Sequence, residues 1–258
     1  MNCNFKDKIV LITGASSGIG AATALLFADH GSSLAITGRN RINLEKVAKE
    51  CKSKGAKDVL TIIADFVNLE DVKKVADEVI KTFGKLDILV NNAGVITNGN
   101  LKELTMEDFD WQFQVNVKSM VYLTQLLMPE LVKRKGNIVN VSSICSVCQY
   151  PGVLIYNMTK SAVDQFTKTI ALEYAPRGVR VNAVNPSNIW TEINRNKSGW
   201  DSETVKKFYE DRAKVHPIGR NGTTEEVANA ILFFASESSA WTTGQCLLLD
   251  GGRRLAVN

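Results

Sequence analysis

Short apolar runs alternate with amphipathic stretches along almost the whole chain. Seven apolar runs predict strands at residues 8–13, 33–37, 59–64, 86–90, 137–142, 179–184 and 246–249. Amphipathic stretches predict helices at residues 19–30, 41–54, 69–83, about 105–135, around Tyr156, and 201–215. Nearly continuous apolar strands that alternate with helices are typical of a parallel sheet covered on both faces. We therefore predict one doubly wound, Rossmann-like α/β domain over residues 1–258, with a seven-stranded, mostly parallel sheet and its ligand site at the carboxyl ends of the strands.

Composition and charge exclude several classes of function. The chain has 258 residues, of which 45% are hydrophobic and 22% charged, and its net charge is +4. Basic residues are dispersed among acids, so we predict no nucleic-acid partner. No apolar run reaches membrane-spanning length and the first residues show no apolar leader, so we expect no membrane association.

The cysteines indicate a reducing compartment. There are five, an odd number with scattered spacing, which is unlike a disulfide framework and favours the cytoplasm. Cys145 and Cys148 form a C-x-x-C pair, but no second pair or neighbouring histidine accompanies it. We expect no metal site there, and packing beside a pocket is our preferred interpretation over a redox dithiol.

A glycine-rich loop lies between the first predicted strand and the first predicted helix. Gly14, Gly18 and Gly20 have the spacing G-x-x-x-G-x-G. Glycines at such a junction let the backbone approach a pyrophosphate, and free N–H groups at the helix start attract the anion. The alternative is a simple tight turn, but the first β–α junction of an alternating pattern favours a dinucleotide site.

The end of the second predicted strand favours NADP over NAD. An NAD site usually has an acid there to bind the ribose 2′-hydroxyl, whereas this chain has Gly38 followed by Arg39. A guanidinium suits a 2′-phosphate. The alternative is that Arg39 is a solvated residue at a helix start, so NAD stays open.

Tyr156 and Lys160 are candidates for proton transfer. Their i, i+4 spacing puts both side chains on one helix face, and Ser143 follows a buried strand. A cation beside a phenol favours the phenolate, so we expect Lys160 to lower the pKa of Tyr156. The set indicates reduction of a ketone or oxidation of an alcohol, although the spacing alone is also typical of an ordinary amphipathic helix.

With these motifs assembled, the chain resembles the short-chain dehydrogenase/reductase family over essentially its whole length. The ending around residues 243–252 looks like that of the 3-oxoacyl-carrier-protein reductase-like branch. The matching segments are Thr13-Gly14-x-x-x-Gly18-x-Gly20, Asn91-Asn92-Ala93-Gly94, Asn116, Ser143, Tyr156-x-x-x-Lys160, Asn185-Pro186, Thr243-Gly244-Gln245 and Asp250-Gly251-Gly252.

The resemblance implies a catalytic tetrad. Tyr156 would be the general acid in reduction, and Ser143 would polarise the substrate carbonyl. Lys160 would bind the nicotinamide ribose as well as act on Tyr156, and Asn116 would position a water for a proton relay. The cofactor contacts that it implies are Gly14, Ser16, Ser17, Gly18, Ile19, Gly20, Arg39, Asp65, Phe66, Asn92, Ala93, Gly94, Tyr156, Lys160, Pro186, Ile189 and Thr191. For Asn92 a structural role, with its amide bonded to strand backbone, is an equal alternative.

Two positions depart from the family pattern. Ser187 stands where members commonly have glycine, and its Cβ is expected to add bulk near the nicotinamide. Ser17 stands where many NADP-preferring members have a basic residue within the loop. The second departure weakens the NADP prediction but not the prediction of a nucleotide site.

The substrate is expected to be a small carbonyl compound or alcohol, covered by a segment at about 187–219. The candidate pocket is apolar and aromatic, which favours a lipophilic ketone of steroid-like, isoprenoid or 3-oxoacyl type. Its predicted residues are Ile144, Cys145, Tyr150, Val153, Trp190 and Trp200. Arg195 and Lys197 leave an anionic substrate open, and Ser198-Gly199 is a candidate hinge. The alternatives are an NAD-dependent alcohol or sugar dehydrogenase and a catalytically silent nucleotide-binding regulator. The resemblance also implies a homotetramer or dimer.

Overall fold

All seven predicted strands are present in one parallel sheet. The computed structural model describes residues 4–191 and 201–256. The strands are β1 (Ile9–Thr13), β2 (Ser33–Gly38), β3 (Val59–Ile63), β4 (Ile88–Asn91), β5 (Asn137–Val141), β6 (Arg180–Pro186) and β7 (Cys246–Leu249). They are ordered β3-β2-β1-β4-β5-β6-β7, and every pairing is parallel. The predicted fold class is therefore confirmed, and the strand boundaries differ from the predicted ones by at most two residues.

The helices also follow the prediction, with one correction and two additions, at Thr224–Ala235 and Arg253–Ala256. They are α1 (Gly18–Asp29), α2 (Arg41–Ser53), α3 (Leu69–Phe83), α4 (Met106–Phe113), α5 (Ser119–Arg134), α6 (Leu154–Tyr174), α7 (Ser202–Ala213), α8 (Thr224–Ala235) and α9 (Arg253–Ala256). The continuous helix predicted at 105–135 is wrong in detail, because a π-helical turn at Gln114–Lys118 separates α4 from α5. Helix α8 was not predicted; it starts at a capping box in which Thr223 and Glu226 bond each other's backbone N–H groups.

Apolar layers cover both faces of the sheet. Phe27 of α1, Leu44 of α2 and Ile231 of α8 pack in one buried cluster. Val75 of α3 and Leu127 of α5 belong to a second cluster. No helix in the described part of the chain is long and apolar enough to cross a membrane.

The order of the strands determines where a ligand can bind. Strand β1 pairs with β2 on one side and β4 on the other, so the connections leave the sheet in opposite directions at this point. In open α/β sheets such a switch opens a crevice at the carboxyl ends of the strands. The glycine-rich loop follows β1, and Ser143 lies just after β5, so both candidate motifs lie at this edge.

Candidate active site

A cavity of about 210 Å³ lies at the carboxyl ends of the first strands. Twelve of the predicted cofactor residues line it, from the glycine-rich loop, the end of β2 and the segments after β3 and β4. They are Gly14, Ser16, Ser17, Gly18, Ile19, Arg39, Asp65, Phe66, Asn92, Ala93, Gly94 and Thr191. The fold therefore gathers these residues, which are separated by up to 177 positions of sequence, around one space.

The glycine-rich loop has the geometry that a pyrophosphate requires. Gly14 and Gly18 have φ angles of 64° and 56°, in the left-handed region that favours glycine. A Cβ on Gly14 would lie 2.9 Å from Cα of Ala93. Ser17 makes no side-chain cap to α1, so the first N–H groups of the helix have no side-chain acceptor there. This loop fits an anionic dinucleotide.

Gly20 lies against the backbone of the loop that precedes it. It does not line the cavity, and a Cβ there would collide with the carbonyl oxygen of Gly14 and lie 2.5 Å from Nδ2 of Asn92. Gly20 therefore lets α1 pack closely against the loop that precedes it.

Arg39 and Asp65 lie at the end of the cavity beyond β2 and β3. The Arg39 side chain is exposed and has no ion-pair partner within residues 4–191 and 201–256, whereas Arg41 lies 3.6 Å from Glu45. The Asp65 carboxylate accepts a hydrogen bond from the Val67 N–H at 3.1 Å. A free guanidinium at this position suits a phosphate on the adenosine ribose.

Asn92 has the structural role that the sequence left as an alternative. Its Nδ2 donates to the carbonyl oxygens of Thr13 and Gly14, at 2.8 and 3.0 Å. The amide therefore ties the end of β1 to the segment after β4. The residue also borders both cavities, so its scaffolding role and its position beside a cofactor are compatible.

A second cavity of about 590 Å³ adjoins the first. Four residues line both cavities: Ile19, Asn92, Gly94 and Thr191. The remaining predicted residues of the nicotinamide end line only the second cavity, and they are Ser143, Tyr156, Lys160, Pro186 and Ile189. A ligand bound along the first cavity can therefore extend to the candidate catalytic side chains.

Burial dominates the electrostatics of Tyr156 and Lys160. Lys160 is 5% exposed, and its Nζ lies 5.4 Å from the centre of the Tyr156 ring and donates to the Val141 carbonyl at 2.9 Å. Burial lowers the pKa of Lys160 to about 8. Burial also raises the pKa of Tyr156 well above its usual value, while the Ser143 hydroxyl acts in the opposite direction. The pKa of Tyr156 is therefore raised, in the direction opposite to the expected one, because the removal of the phenolate from water is the largest influence on it.

The Ser143 hydroxyl is held at the cavity wall by backbone groups. It accepts from the Cys145 N–H at 3.2 Å, and its nearest acceptor, the Pro186 carbonyl, is 3.4 Å away. A bond of that length is weak. Behind it, Asn185 Nδ2 lies 3.2 Å from the Ser143 carbonyl and 2.8 Å from the buried Asp164 carboxylate. The position of Ser143 is therefore fixed, and its O–H can turn toward a substrate oxygen.

Asn116 lies behind the cavity, on the π-helical turn. Its Oδ1 accepts from the Val95 N–H and its Nδ2 donates to the Val95 carbonyl, both at 2.8 Å, so it pins the segment after β4. A hollow of about 10 Å³ is lined by Asn116 and Lys160 among others. That volume is close to the minimum for one water molecule. Short π turns often occur at functional sites.

The wall of the second cavity contains four of the six predicted pocket residues. Ile144, Cys145, Tyr150 and Val153 line the second cavity, and Cys145 and Cys148 are free thiols. Trp190 does not line it, because its ring stacks on Tyr209 at 4.5 Å and is half exposed. Sequence reasoning missed several lining residues, among them Phe208, Tyr209, Arg212 and Arg253. Arg195, Lys197, Ser198, Gly199 and Trp200 lie outside the described residues.

The wall of the second cavity also contains charged residues, which the predicted apolar and aromatic set did not include. Arg212 comes from α7, within the segment predicted to cover the site, and Arg253 comes from α9 near the end of the chain. Ser187, one of the two departures from the family pattern, contacts Arg253. Its Oγ accepts a hydrogen bond from the Arg253 guanidinium at 3.3 Å and lies 2.9 Å from His216 Nε2. No local pattern marks Arg253, because its contact with Ser187 spans 66 residues of sequence.

Comparison with known proteins agrees with this geometry. A family model described as enoyl-(acyl carrier protein) reductase matches residues 14–254. The chain is 39% identical over 248 residues to a 3-oxoacyl-(acyl-carrier-protein) reductase of Thermotoga maritima, covering 96% of this chain and 98% of that protein.

Two solved structures are similar over nearly the whole chain. One is a short-chain dehydrogenase/reductase of unknown function from Caenorhabditis elegans, solved with cofactor, with a TM-score of 0.94, 35% identity, and coverage of 98% of this chain and 97% of that chain. The other is L-sorbose reductase from Gluconobacter frateurii complexed with NADPH and L-sorbose, with a TM-score of 0.91, 34% identity and 98% coverage of both chains. The chain belongs to the short-chain dehydrogenase/reductase family and is an oxidoreductase that acts on CH–OH and C=O groups with a nicotinamide cofactor.

Proposed function

We propose that this protein is an NADP(H)-dependent carbonyl reductase that transfers hydride between nicotinamide and a ketone with an apolar body. One observation carries the proposal. Ser143, Tyr156 and Lys160 line the cavity that continues from the space around the glycine-rich loop. A cofactor along the first cavity would supply the hydride at the junction of the two.

Tyr156 is the proton donor to the substrate oxygen in this proposal. Because burial raises its pKa, the phenol holds its proton at neutral pH, which suits a general acid in the direction of reduction. Ser143 binds the carbonyl oxygen and stabilises the negative charge that develops on it. Oxidation requires the phenolate, which burial disfavours.

Lys160 and Asn116 replace the proton that Tyr156 gives up. The pKa of Lys160, at about 8, lies near neutrality, so its ammonium can release a proton and regain it. The hollow that both residues line has room for one water between Lys160 and Asn116. In this role Asn116 acts by positioning that water through a side chain fixed on Val95.

NADP is favoured over NAD because Arg39 lacks an ion-pair partner among the described residues and lines the cofactor cavity. The L-sorbose reductase that this chain resembles is complexed with NADPH, which supports the same choice. Ser17 provides no second cation in the loop, so Arg39 alone would bind the 2′-phosphate.

The lipophilic part of the substrate is supported by the apolar wall of the second cavity. Ile144, Val153 and Phe208 contribute to it, and pockets of this size bind small organic molecules. A sugar is the second candidate, favoured by the similarity to L-sorbose reductase. The two differ in hydroxyl groups, so a panel that contains both classes separates them.

The test is a screen of steroid, acyl, quinone, sugar and isoprenoid ketones with NADPH, followed by Tyr156→Phe on the best substrate. We expect loss of turnover by about 10²- to 10⁴-fold, since the phenol oxygen is the proton donor, with NADPH binding nearly unchanged. Tyr174→Phe, at the other end of α6, is the matched control. Retained turnover in Tyr156→Phe would exclude the mechanism, and no NADPH oxidation with any ketone would favour a nucleotide-binding regulator.

The proposal also includes a cytoplasmic homotetramer or dimer. Four cysteines of the described residues are free thiols, which agrees with a reducing compartment. Leu172 on α6 is 81% exposed and Trp241 is fully exposed, as expected where another subunit covers them. A monomer mass by light scattering would contradict this part.

A further inference from the structure

Arg253 is a buried cation in the wall of the second cavity. It is the first residue of α9 and is only 7% exposed. Its guanidinium carbon lies 4.4 Å from the centre of the Tyr150 ring, which also lines the cavity. Burial raises the pKa of Tyr150 to about 12, so the phenol is neutral and the contact is a cation–π interaction.

No carboxylate of the described residues pairs with this guanidinium. Among residues 4–191 and 201–256, its side chain forms one hydrogen bond, from NH1 to Ser187 Oγ at 3.3 Å. Asp250, three residues earlier, accepts instead from the N–H groups of Gly252 at 3.0 Å and Arg254 at 2.8 Å. Proteins pair their buried charges in almost every case, so a partner for Arg253 is missing from residues 4–191 and 201–256.

The whole cavity has an excess of positive charge. Its described lining includes Lys160, Arg212 and Arg253, and no aspartate or glutamate. Arg212 lies above the Phe208 ring, at 5.1 Å, and has no ion pair within the described part of the chain. The other described residues of the wall are apolar or polar without charge. A ligand with an apolar body and one anionic group would complement this wall.

Ser187 and His216 fix the position of Arg253. His216 is 3% exposed, and burial together with the charge of Arg253 lowers its pKa, so the imidazole is neutral and does not repel the guanidinium. Ser187 bonds to both side chains. Held between this serine and the Tyr150 ring, the planar guanidinium is oriented before a ligand arrives, which favours the two parallel hydrogen bonds of a carboxylate.

We propose that the substrate is an oxo acid whose carboxylate binds Arg253 while its ketone lies at Ser143 and Tyr156. The inference rests on the proposed reductase function and adds the substrate class. Ser143 Oγ lies 3.4 Å from the carbonyl of Pro186, and the next residue, Ser187, contacts Arg253. Both binding groups line the same cavity and are linked through adjacent residues, so we expect a short carbon chain to span them. Lys160 is already directed to the Val141 carbonyl and Arg212 is less buried than Arg253, which leaves Arg253 as the anchor.

The test compares methyl-ketone acids of increasing chain length, from acetoacetate and levulinate upwards, with the methyl ester of each. At the best chain length, we expect wild-type kcat/KM with NADPH to be at least about tenfold higher for the acid than for the ester. Arg253→Met should lower kcat/KM for the acid about 10- to 100-fold and leave the ester within a few-fold, because only the acid loses a charged partner. Arg254→Met, an exposed neighbour on α9, should change neither.

A preference of the wild type for esters, or an equal loss for acid and ester in Arg253→Met, would overturn the inference, since the second result indicates a packing role. A binding measurement separates this from failure of the proposed function. With NADPH present, hexanoate should raise the Tm of the wild type while hexanamide does not, and Arg253→Met should abolish the difference. If hexanoate binds but no ketone is reduced, the anion site stands and the reductase proposal fails. If ketones are reduced but hexanoate and hexanamide change the Tm alike, the reductase proposal stands and the anion site fails.

Discussion

Lys160→Met should make the cofactor-free protein more stable. Lys160 is 5% exposed and burial lowers its pKa to about 8, against an ordinary value near 10.4. That lowering corresponds to about 3 kcal/mol of unfavourable ammonium burial at pH 7. Loss of the hydrogen bond to the Val141 carbonyl costs about 1 kcal/mol. The variant should therefore gain about 2 kcal/mol in free energy of unfolding at pH 7, since methionine fills a similar volume without charge.

The pH dependence identifies the cause. Between pH 8 and 10.4 the folded protein has released the Lys160 proton while the unfolded chain still holds it, so wild-type stability rises with pH through this window. At pH 10 the burial cost falls to about 1 kcal/mol and the gain of the variant should vanish. Urea unfolding at pH 7 and pH 10, at fixed protein concentration and without cofactor, measures both values.

Lys168→Met is the matched control, because Lys168 is an exposed residue of the same helix α6. It should change the free energy of unfolding by less than about 0.5 kcal/mol at either pH. A Lys160→Met protein less stable than the wild type at pH 7 would refute the reasoning. So would a gain that stays the same at pH 10, because it would then come from packing and not from the charge.

Two further substitutions test the cofactor site. Arg39→Ala should raise KM for NADPH by about 10- to 100-fold and leave KM for NADH nearly unchanged, because only NADPH loses a charged partner. Arg41→Ala is the control and should leave both KM values nearly unchanged. Steady-state kinetics measures these values, and an equal rise in KM for both cofactors in Arg39→Ala would contradict the prediction. Gly20→Ala should cost about 1–3 kcal/mol of stability, because its Cβ would lie 2.5 Å from Nδ2 of Asn92. Gly94→Ala is the control for stability, because its Cβ would meet no atom closer than 3.5 Å. Equal unfolding midpoints for the two variants would contradict the prediction, since the structure would then accommodate a Cβ on Gly20 without cost.

Some predictions succeeded because their evidence is local in sequence. The strand at 246–249 and the helix at 69–83 have the predicted bounds, since apolar periodicity and flanking turn residues set both. The loop of Gly14 and Gly18 belongs to the same class, because a left-handed φ needs glycine wherever it occurs. The π turn around Asn116 could not be predicted, since it changes the hydrogen bonding of one turn without changing the apolar pattern.

The electrostatic predictions show the limit of spacing arguments. The i, i+4 spacing correctly put Tyr156 and Lys160 on one side of α6, and their contact is 5.4 Å. It gave the wrong direction for the pKa of Tyr156 because a spacing does not report how far water is excluded. Only the packing of α6 against β5 and its neighbours sets that exclusion.

The sequence by itself determined the fold class, the nucleotide loop and the candidate proton-transfer residues, because each depends on patterns within about twenty residues or on a fixed order of motifs. The tertiary structure alone decided what surrounds them. It brought Arg253 to Ser187 after β6, and it buried this cation beside an apolar wall with no carboxylate of the described residues next to it. Charge complementarity across a cavity depends on distances between segments that are remote in sequence, and those distances exist only once the sheet and its helices have packed.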